Sequence, residues 1–99
     1  MPRRVVVTGM GIVSSLGLDL ETNWKNLVAG KSGVKKITLF DASQNQTRIA
    51  AEVPPEFEEH SRAYVKKRAA SQMTRVIRMC IVAARDAVKD CLKEKLGDL

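Results

Sequence analysis

Hydrophobic residues follow different spacings along the chain, and each spacing predicts a different element. Val5, Val6 and Val7 form a continuous apolar run. Such a run is typical of a strand that is covered on both faces in a layered α/β protein. Gly9 and Gly11 come directly after it, where they permit either a positive φ or a close backbone approach. The chain is therefore predicted to open with a buried strand that ends in a glycine-containing loop.

A helical spacing begins after Asp19 and ends before Gly30. The apolar positions of this stretch recur at i, i+4, i+7 and i+8: Leu20, Trp24, Leu27 and Val28. Asp19 is a favoured N-cap, and Gly30 is a favoured residue just past a helix C-terminus. We predict a short helix in which Trp24 is a core anchor, with a ligand platform as the alternative role of its indole.

The next stretch is predicted to hold a turn at 31–33, a return across the surface at 34–40 and a second short strand at 48–53. Pro54-Pro55 ends that strand, because proline cannot donate ladder hydrogen bonds. The acidic residues Glu56, Glu58 and Glu59 then surround His60. A metal site is one interpretation of this cluster, but a single histidine without a second soft ligand favours a solvated loop.

From Ser61 onward the pattern is helical. A broad apolar stripe recurs at steps of three and four residues: Met73, Ile77, Cys80, Ile81, Ala84, Val88, Cys91 and Leu92. Thr74 is a candidate internal N-cap that would divide the stretch into two consecutive helices, the second of which is predicted to run to about Leu96. Small residues on this helix, Ala83, Ala84 and Ala87, would let another element approach closely.

Several spaced landmarks along the chain resemble one family. They are Arg3 to Gly17, Trp24-Lys25-x-Leu27, Gly30-Lys31-Ser32-Gly33-Val34, Ile37-x-x-Phe40-Asp41 and Ile49-Ala50-Ala51-Glu52-Val53. In this order they are similar to the elongating type II β-ketoacyl-acyl-carrier-protein synthases. The resemblance implies an α/β fold, the N-terminal part of a thiolase-like layered αβαβα architecture. Residues 1–99 would be the N-terminal portion of the N-terminal domain of such an enzyme.

The resemblance also implies an activity. These acyltransferases of fatty acid biosynthesis move an acyl chain to a cysteine and condense it with malonyl-acyl carrier protein, releasing carbon dioxide. In the family, the cysteine lies on a sharp turn after a later strand, and two further histidines stabilise the developing charges. By this resemblance all three lie beyond Leu99, so we expect no catalytic, cofactor or metal residue in this chain. The resemblance further implies a homodimer.

The two cysteines of the chain are poor candidates for that nucleophile. Cys80 and Cys91 both fall in the apolar stripe, where cysteine behaves as a small hydrophobe. Eleven residues of helix separate them by about 16 Å, which excludes a mutual disulfide. No signal peptide is recognisable, so a reducing cytoplasm is the expected compartment.

A basic run is the one functional element that the resemblance places in this chain. The net charge is +6, and Lys66, Lys67 and Arg68 cluster with Arg62 nearby. Such a patch steers an acidic partner through salt-sensitive contacts. In the family, basic residues just before the long helix contact the acidic acyl carrier protein. The four cations are therefore candidate docking residues, with a solvated helix face as the alternative.

Other functional classes fit less well. The motif Gly9-x-Gly11 is part of a dinucleotide fingerprint, but Ser14 replaces the third glycine and no helix opens at Gly11. Nucleic-acid binding is disfavoured because Tyr64 is the sole aromatic residue near the basic run. No apolar run approaches the roughly twenty residues that span a membrane.

The length of the chain conflicts with the elements it predicts. A 99-residue chain can form one domain. A buried strand nevertheless needs a neighbour on each edge and a layer on each face. We therefore expect the apolar stripes to be covered by the rest of a larger protein. The alternative is a free-standing interaction module that binds an acidic partner without catalysis.

Overall fold

The structure is a computed structural model that describes residues 2–92. In chain order the elements are α1 (Leu20–Val28), β1 (Lys35–Lys36), β2 (Ile49–Ala50), α2 (Phe57–His60), a 3-10 turn (Ser61–Ala63), α3 (Lys67–Ala70) and α4 (Arg75–Leu92). Helix and strand are mixed, as the predicted α/β class requires. The predicted end of the long helix near Leu96 lies outside the described residues.

Helix α1 begins and ends where the sequence predicted. Asp19 is extended at φ −141°, and its carboxylate accepts a hydrogen bond of 2.7 Å from the backbone N–H of Thr22. This bond lowers the pKa of Asp19 below its ordinary value. Gly30 has a φ of 74°, the left-handed conformation in which helices commonly end.

Strands β1 and β2 form a two-stranded antiparallel ladder. The register pairs Lys35 with Ala50 and Lys36 with Ile49. One further bond of 2.9 Å joins the N–H of Ile37 to the carbonyl of Arg48. Beyond it, the N–H groups of Thr38 and Leu39 donate to the side chain of Glu52 instead of to a strand. The ladder is therefore shorter than the predicted strand at 48–53.

The core is small and lies where α2 and the 3-10 turn meet α4. Its buried hydrophobic residues are Phe57, Val65 and Val82, and a fourth buried residue, Ala42, lies in the loop between β1 and β2. Phe57 and Val82 are completely inaccessible to solvent. The guanidinium of Arg75 lies 5.7 Å from the centre of the Phe57 ring. His60 ends α2 and is half-buried, so the solvated loop predicted for it is wrong.

The glycine pair packs directly against the backbone of α4. A Cβ on Gly11 would lie 2.0 Å from the carbonyl oxygen of Ala83, and one on Gly9 would lie 2.3 Å from that of Ala87. The N–H of Met10, between them, donates to the Asp90 carboxylate at 3.0 Å. Of the two predicted roles for these glycines, the close approach is observed. The approach occurs at Ala83 and Ala87, two of the three small residues predicted to permit it, whereas Ala84 is exposed.

Several residues predicted to be buried are exposed. The run at 5–7 forms no strand, and its three valines are 72–90% exposed. Trp24 is 64% exposed. The physical reason is the same in each case, since residues 2–92 supply no neighbouring strand or layer that would cover these side chains.

The stripe on α4 is also largely uncovered. Cys80 and Cys91 are exposed free thiols, so their predicted burial is wrong within this structure. Val82, which lies outside the predicted stripe, is the buried residue of α4 among those described. The accessible surface is 8351 Å² and the radius of gyration is 16.5 Å. A compact chain of this mass would have about 5,600 Å² and about 13 Å.

Candidate functional site

The four cations predicted to dock a partner lie between α2 and α4. Arg62 is in the 3-10 turn, Lys66 immediately precedes α3, and Lys67 and Arg68 begin that helix. All four residues are exposed. The structure therefore brings them onto one short stretch at the surface, which we call the basic segment (residues 62–68).

Tyr64 connects the basic segment to α4 through a hydrogen bond and a cation–π contact. Its hydroxyl donates a hydrogen bond of 2.6 Å to the carboxylate of Asp86, and the ammonium of Lys89 lies 4.9 Å from its ring centre. Burial first, and then the hydrogen bond to Asp86, raise the pKa of Tyr64 to about 12. The neighbouring Val65 is buried in the core. These contacts fix the backbone of the segment while its charged side chains stay in solvent.

Glu58, one of the acidic residues that precede the segment, forms ion pairs with arginines of α4. Glu58 pairs with Arg78 and, at 3.2 Å, with the Nε of Arg75. The hydrogen bond from Arg78 is the main cause that lowers the pKa of Glu58. No salt bridge within residues 2–92 involves a cation of the basic segment. Its charge is thus left available to a partner.

A hollow of about 430 Å³ lies beside the basic segment. Three cations border it, and the first two belong to the segment: Arg62, Lys66 and Arg85. Its apolar lining includes Val65, Met73 and Ile81. We call this feature the Arg85 hollow. Arg85 follows Ile81 by four positions and therefore lies on the same face of α4.

The described residues form no recognisable reaction centre. The thiol of Cys91 donates to the hydroxyl of Thr8 at 3.1 Å rather than to an imidazole. The ring of His60 lies 5.3 Å from the ring of Tyr64. Within residues 2–92 no group of three or more His, Cys, Asp and Glu side chains is placed to hold a metal ion.

The glycine pair is not arranged as a dinucleotide loop. The space above Gly9 and Gly11 is filled by the backbone of α4, where a pyrophosphate would have to lie. The first helix starts at Leu20 rather than at Gly11. In the part of the chain that the structure describes, no helix is both long and apolar enough to cross a bilayer.

Comparison with known proteins agrees with the spaced landmarks. The N-terminal domain of the β-ketoacyl synthases matches residues 2–93. The chain belongs to the β-ketoacyl synthase family. One relative, 3-oxoacyl-acyl-carrier-protein synthase 2 of Staphylococcus aureus (strain COL), is 40% identical over 89 residues, which are 89% of this chain and 20% of that protein. The synthase 2 of Coxiella burnetii is 63% identical over 51 residues, 52% of this chain and 12% of that protein.

This match confirms the family that the spaced landmarks predicted. The thiolase-like assignment is supported for the N-terminal domain to which residues 2–93 are similar. The chain spans about a fifth of the length of the curated relatives it matches. Those relatives are named as 3-oxoacyl-acyl-carrier-protein synthases.

Proposed function

We propose that this chain is the N-terminal part of an elongating β-ketoacyl-acyl-carrier-protein synthase. The whole enzyme condenses a cysteine-bound acyl group with malonyl-acyl carrier protein and releases carbon dioxide, in fatty acid biosynthesis. Residues 1–99 contribute scaffold and part of a docking surface, and the catalytic cysteine and histidines come from other parts of the protein. The observation that carries the proposal is the match of the synthase N-terminal domain across residues 2–93.

The exposed apolar residues support the proposal that this chain is part of a larger protein. The valines at 5–7, Trp24 and one side of α4 are exposed although their spacing is that of buried elements. Large exposed apolar patches mark binding sites or aggregation liabilities. Packing against further layers of a thiolase-like fold would cover it. Whole-enzyme homodimerisation is part of the same proposal.

The docking role rests on the basic segment. Lys66, Lys67, Arg68 and Arg62 are exposed and form no salt bridge within residues 2–92. Unpaired cations on a fixed backbone attract an acidic protein and raise its association rate. We propose that this segment contacts acyl carrier protein, while the acyl and malonyl thioesters react elsewhere in the enzyme.

The first experiment is the intact mass of the native gene product. A mass several times 10.9 kDa supports a complete synthase to which these residues contribute scaffold. A mass near 10.9 kDa, with cooperative melting and carrier-protein binding, favours the free-standing interaction module instead. Condensing activity in the purified 99-residue chain would contradict the assignment of the catalytic residues to other parts of the protein.

A second experiment tests docking. In the full-length enzyme, the double variant Lys67→Glu/Arg68→Glu should raise the KM for malonyl-acyl carrier protein about tenfold or more. It should leave the KM for malonyl-pantetheine, which has no carrier protein, unchanged. The matched control Lys25→Glu/Lys31→Glu makes the same charge change on exposed residues outside the segment. Equal effects of the two double variants would argue against a local docking surface.

A further inference from the structure

Ser71 follows the basic segment closely and forms the C-cap of α3. Lys66, Lys67 and Arg68 lie five, four and three positions before it. All three cations are exposed, and no salt bridge within residues 2–92 engages them. A hydroxyl that follows unpaired cations at these fixed spacings combines a nucleophile with positive charge that an acidic cleft of another protein can bind.

The hydroxyl of Ser71 is itself accessible. The residue is exposed, and its Oγ donates a hydrogen bond of 2.8 Å to the carbonyl of Arg68, one turn earlier in the same short helix. Within the part of the chain that the structure describes, this Oγ makes no hydrogen bond to another element. Water or a partner can therefore replace the bond at little cost, because an exposed hydrogen bond contributes little net stability.

The stretch around Ser71 can leave its helix without opening the core. Helix α3 has no buried residue, and its N-cap makes no side-chain hydrogen bond. The chain is anchored on either side of residues 66–72, by Val65, which is buried, and by Met73, which is half-buried. A segment with so few buried contacts has a low free energy of local opening.

We propose that Ser71 is a phosphorylation site for a basophilic serine/threonine protein kinase, with ATP as the phosphoryl donor. The Oγ of Ser71 attacks the γ-phosphorus of ATP, so an O–P bond forms while the bond from that phosphorus to the β–γ bridging oxygen breaks. ADP leaves, and the hydroxyl proton goes to the catalytic aspartate of the kinase. Carboxylates of the kinase would bind Lys66, Lys67 and Arg68, while residues 66–72 lie extended in its cleft.

The consequence of this modification would be a weaker positive charge on the basic segment. Phosphoserine carries about −1.5 to −2 charges near neutral pH and offsets about half of the charge of the four cations. Arg68 and Lys67 lie three and four residues before Ser71, the spacings at which side chains of one helix face meet. This consequence rests on the proposed docking function, whereas the modification itself does not.

Thr38 is the competing acceptor, because Lys35 and Lys36 lie three and two positions before it. Its hydroxyl donates to the carboxylate of Glu52 at 2.8 Å, and its backbone N–H donates to the same carboxylate at 3.1 Å. Entry into a kinase cleft would break both bonds. The geometry therefore favours Ser71 over Thr38.

The test uses the full-length enzyme, ATP and the cyclic-AMP-dependent protein kinase as a basophilic probe. Trypsin releases residues 69–75 as one peptide that contains both Ser71 and Thr74, and fragmentation by mass spectrometry should place the phosphate on Ser71. We expect Arg68→Ala to slow this phosphorylation about tenfold or more. The matched control Arg4→Ala removes the same charge from another exposed residue and should be phosphorylated like the wild type.

Three results would overturn the site. They are phosphate on Thr74 or Thr38 instead of Ser71, equal rates for Arg68→Ala and the wild type, and an unphosphorylated Ser71 in enzyme isolated from both growing and stationary cells of its source. Phosphate on Ser71 in the isolated enzyme supports it.

The regulatory consequence has a separate measurement. The phosphorylated enzyme should bind acyl carrier protein about fivefold more weakly than the unmodified enzyme, and kinase treatment of Ser71→Ala should not change binding. Turnover of malonyl-pantetheine should stay unchanged in both. Equal binding by the phosphorylated and unmodified enzymes would overturn this consequence. An unchanged KM in Lys67→Glu/Arg68→Glu would instead contradict the proposed docking function and leave the assignment of the phosphate to be decided by the peptide.

Discussion

Substituting Gly11 by alanine adds one methyl group where α4 leaves no room for it. The new Cβ would lie 2.0 Å from the carbonyl oxygen of Ala83 and 2.8 Å from the backbone nitrogen of Ala87. Contacts below 3.0 Å are essentially never made by real Cβ atoms, so the N-terminal loop must lift by about 1 Å. A gap of that size forfeits about a quarter to a half of the dispersion energy of the atoms that line it.

The expected loss of stability has two sources. Overpacking of a close contact costs about 1–3 kcal/mol. Lifting the loop also lengthens the hydrogen bond of 3.0 Å from the N–H of Met10 to Asp90, which contributes about 1 kcal/mol at this exposed position. We expect Gly11→Ala to lower the free energy of unfolding by about 2–4 kcal/mol. Urea unfolding followed by far-UV circular dichroism measures this as a lower midpoint with an unchanged slope.

The control is Gly30→Ala, which separates backbone strain from collision. Gly30 has a φ of 74°, and a Cβ added there would have no atom within 4 Å, so alanine should cost only about 1–2 kcal/mol. Because the collision at Gly11 is with a backbone oxygen, truncating Ala83 to glycine should not rescue Gly11→Ala. A loss no larger than that of Gly30→Ala, or rescue by Ala83→Gly, would refute the reasoning.

Three further substitutions test separate contacts. Asp19→Ala removes the N-cap of α1 and should lower the free energy of unfolding by about 1 kcal/mol at pH 7. Because the pKa of Asp19 is lowered in the folded protein, this contribution is present above pH 3.8 and is lost as the pH falls through the lowered value. A difference in unfolding free energy that does not change with pH would contradict this. Tyr64→Phe removes the hydrogen bond to Asp86 and should lower the free energy of unfolding by about 1 kcal/mol at pH 8. Because the pKa of Tyr64 is raised to about 12, this contribution is complete below pH 10 and is lost as the pH rises to about 12. Phenolate absorbance that titrates near pH 10 in the folded protein would argue against this. Phe57→Ala should lower the free energy of unfolding in urea by about 3–5 kcal/mol, because Phe57 is inaccessible to solvent. The control Phe40→Ala should lower it by less than about 1 kcal/mol, because Phe40 is 56% exposed. Similar losses for both variants would be inconsistent with the core described.

Features set by neighbouring residues were predictable from the sequence. The cap at Asp19 and the left-handed Gly30 act within a few residues of the helix they bound, so α1 was predicted correctly. Thr74 was likewise predicted to cap α4, and its hydroxyl accepts a bond from the N–H of Ile77 at 3.4 Å. Local hydrogen bonding decides such boundaries, and the sequence contains all the groups involved.

Features set by distant residues were not predictable from the pattern alone. The valines at 5–7 and Trp24 have the spacing of buried positions, but burial needs a partner surface that residues 2–92 do not supply. Phe57 and Val82 form the core because α2 meets α4, a contact that no periodicity encodes. The four cations of the basic segment were found from their clustering, whereas Arg85 joins them only through the packing of the segment on α4.

The contact between the glycine pair and α4 joins residues that are synthesised far apart in time. Met10 and Asp90 are 80 residues apart in the sequence, so loop closure alone opposes this contact by about 4 kcal/mol. At a translation rate of about 5–20 residues per second, Met10 waits about 4–16 s before Asp90 has been added. During that interval the glycine pair has no α4 backbone to pack against, so this contact forms only after the long helix has been synthesised.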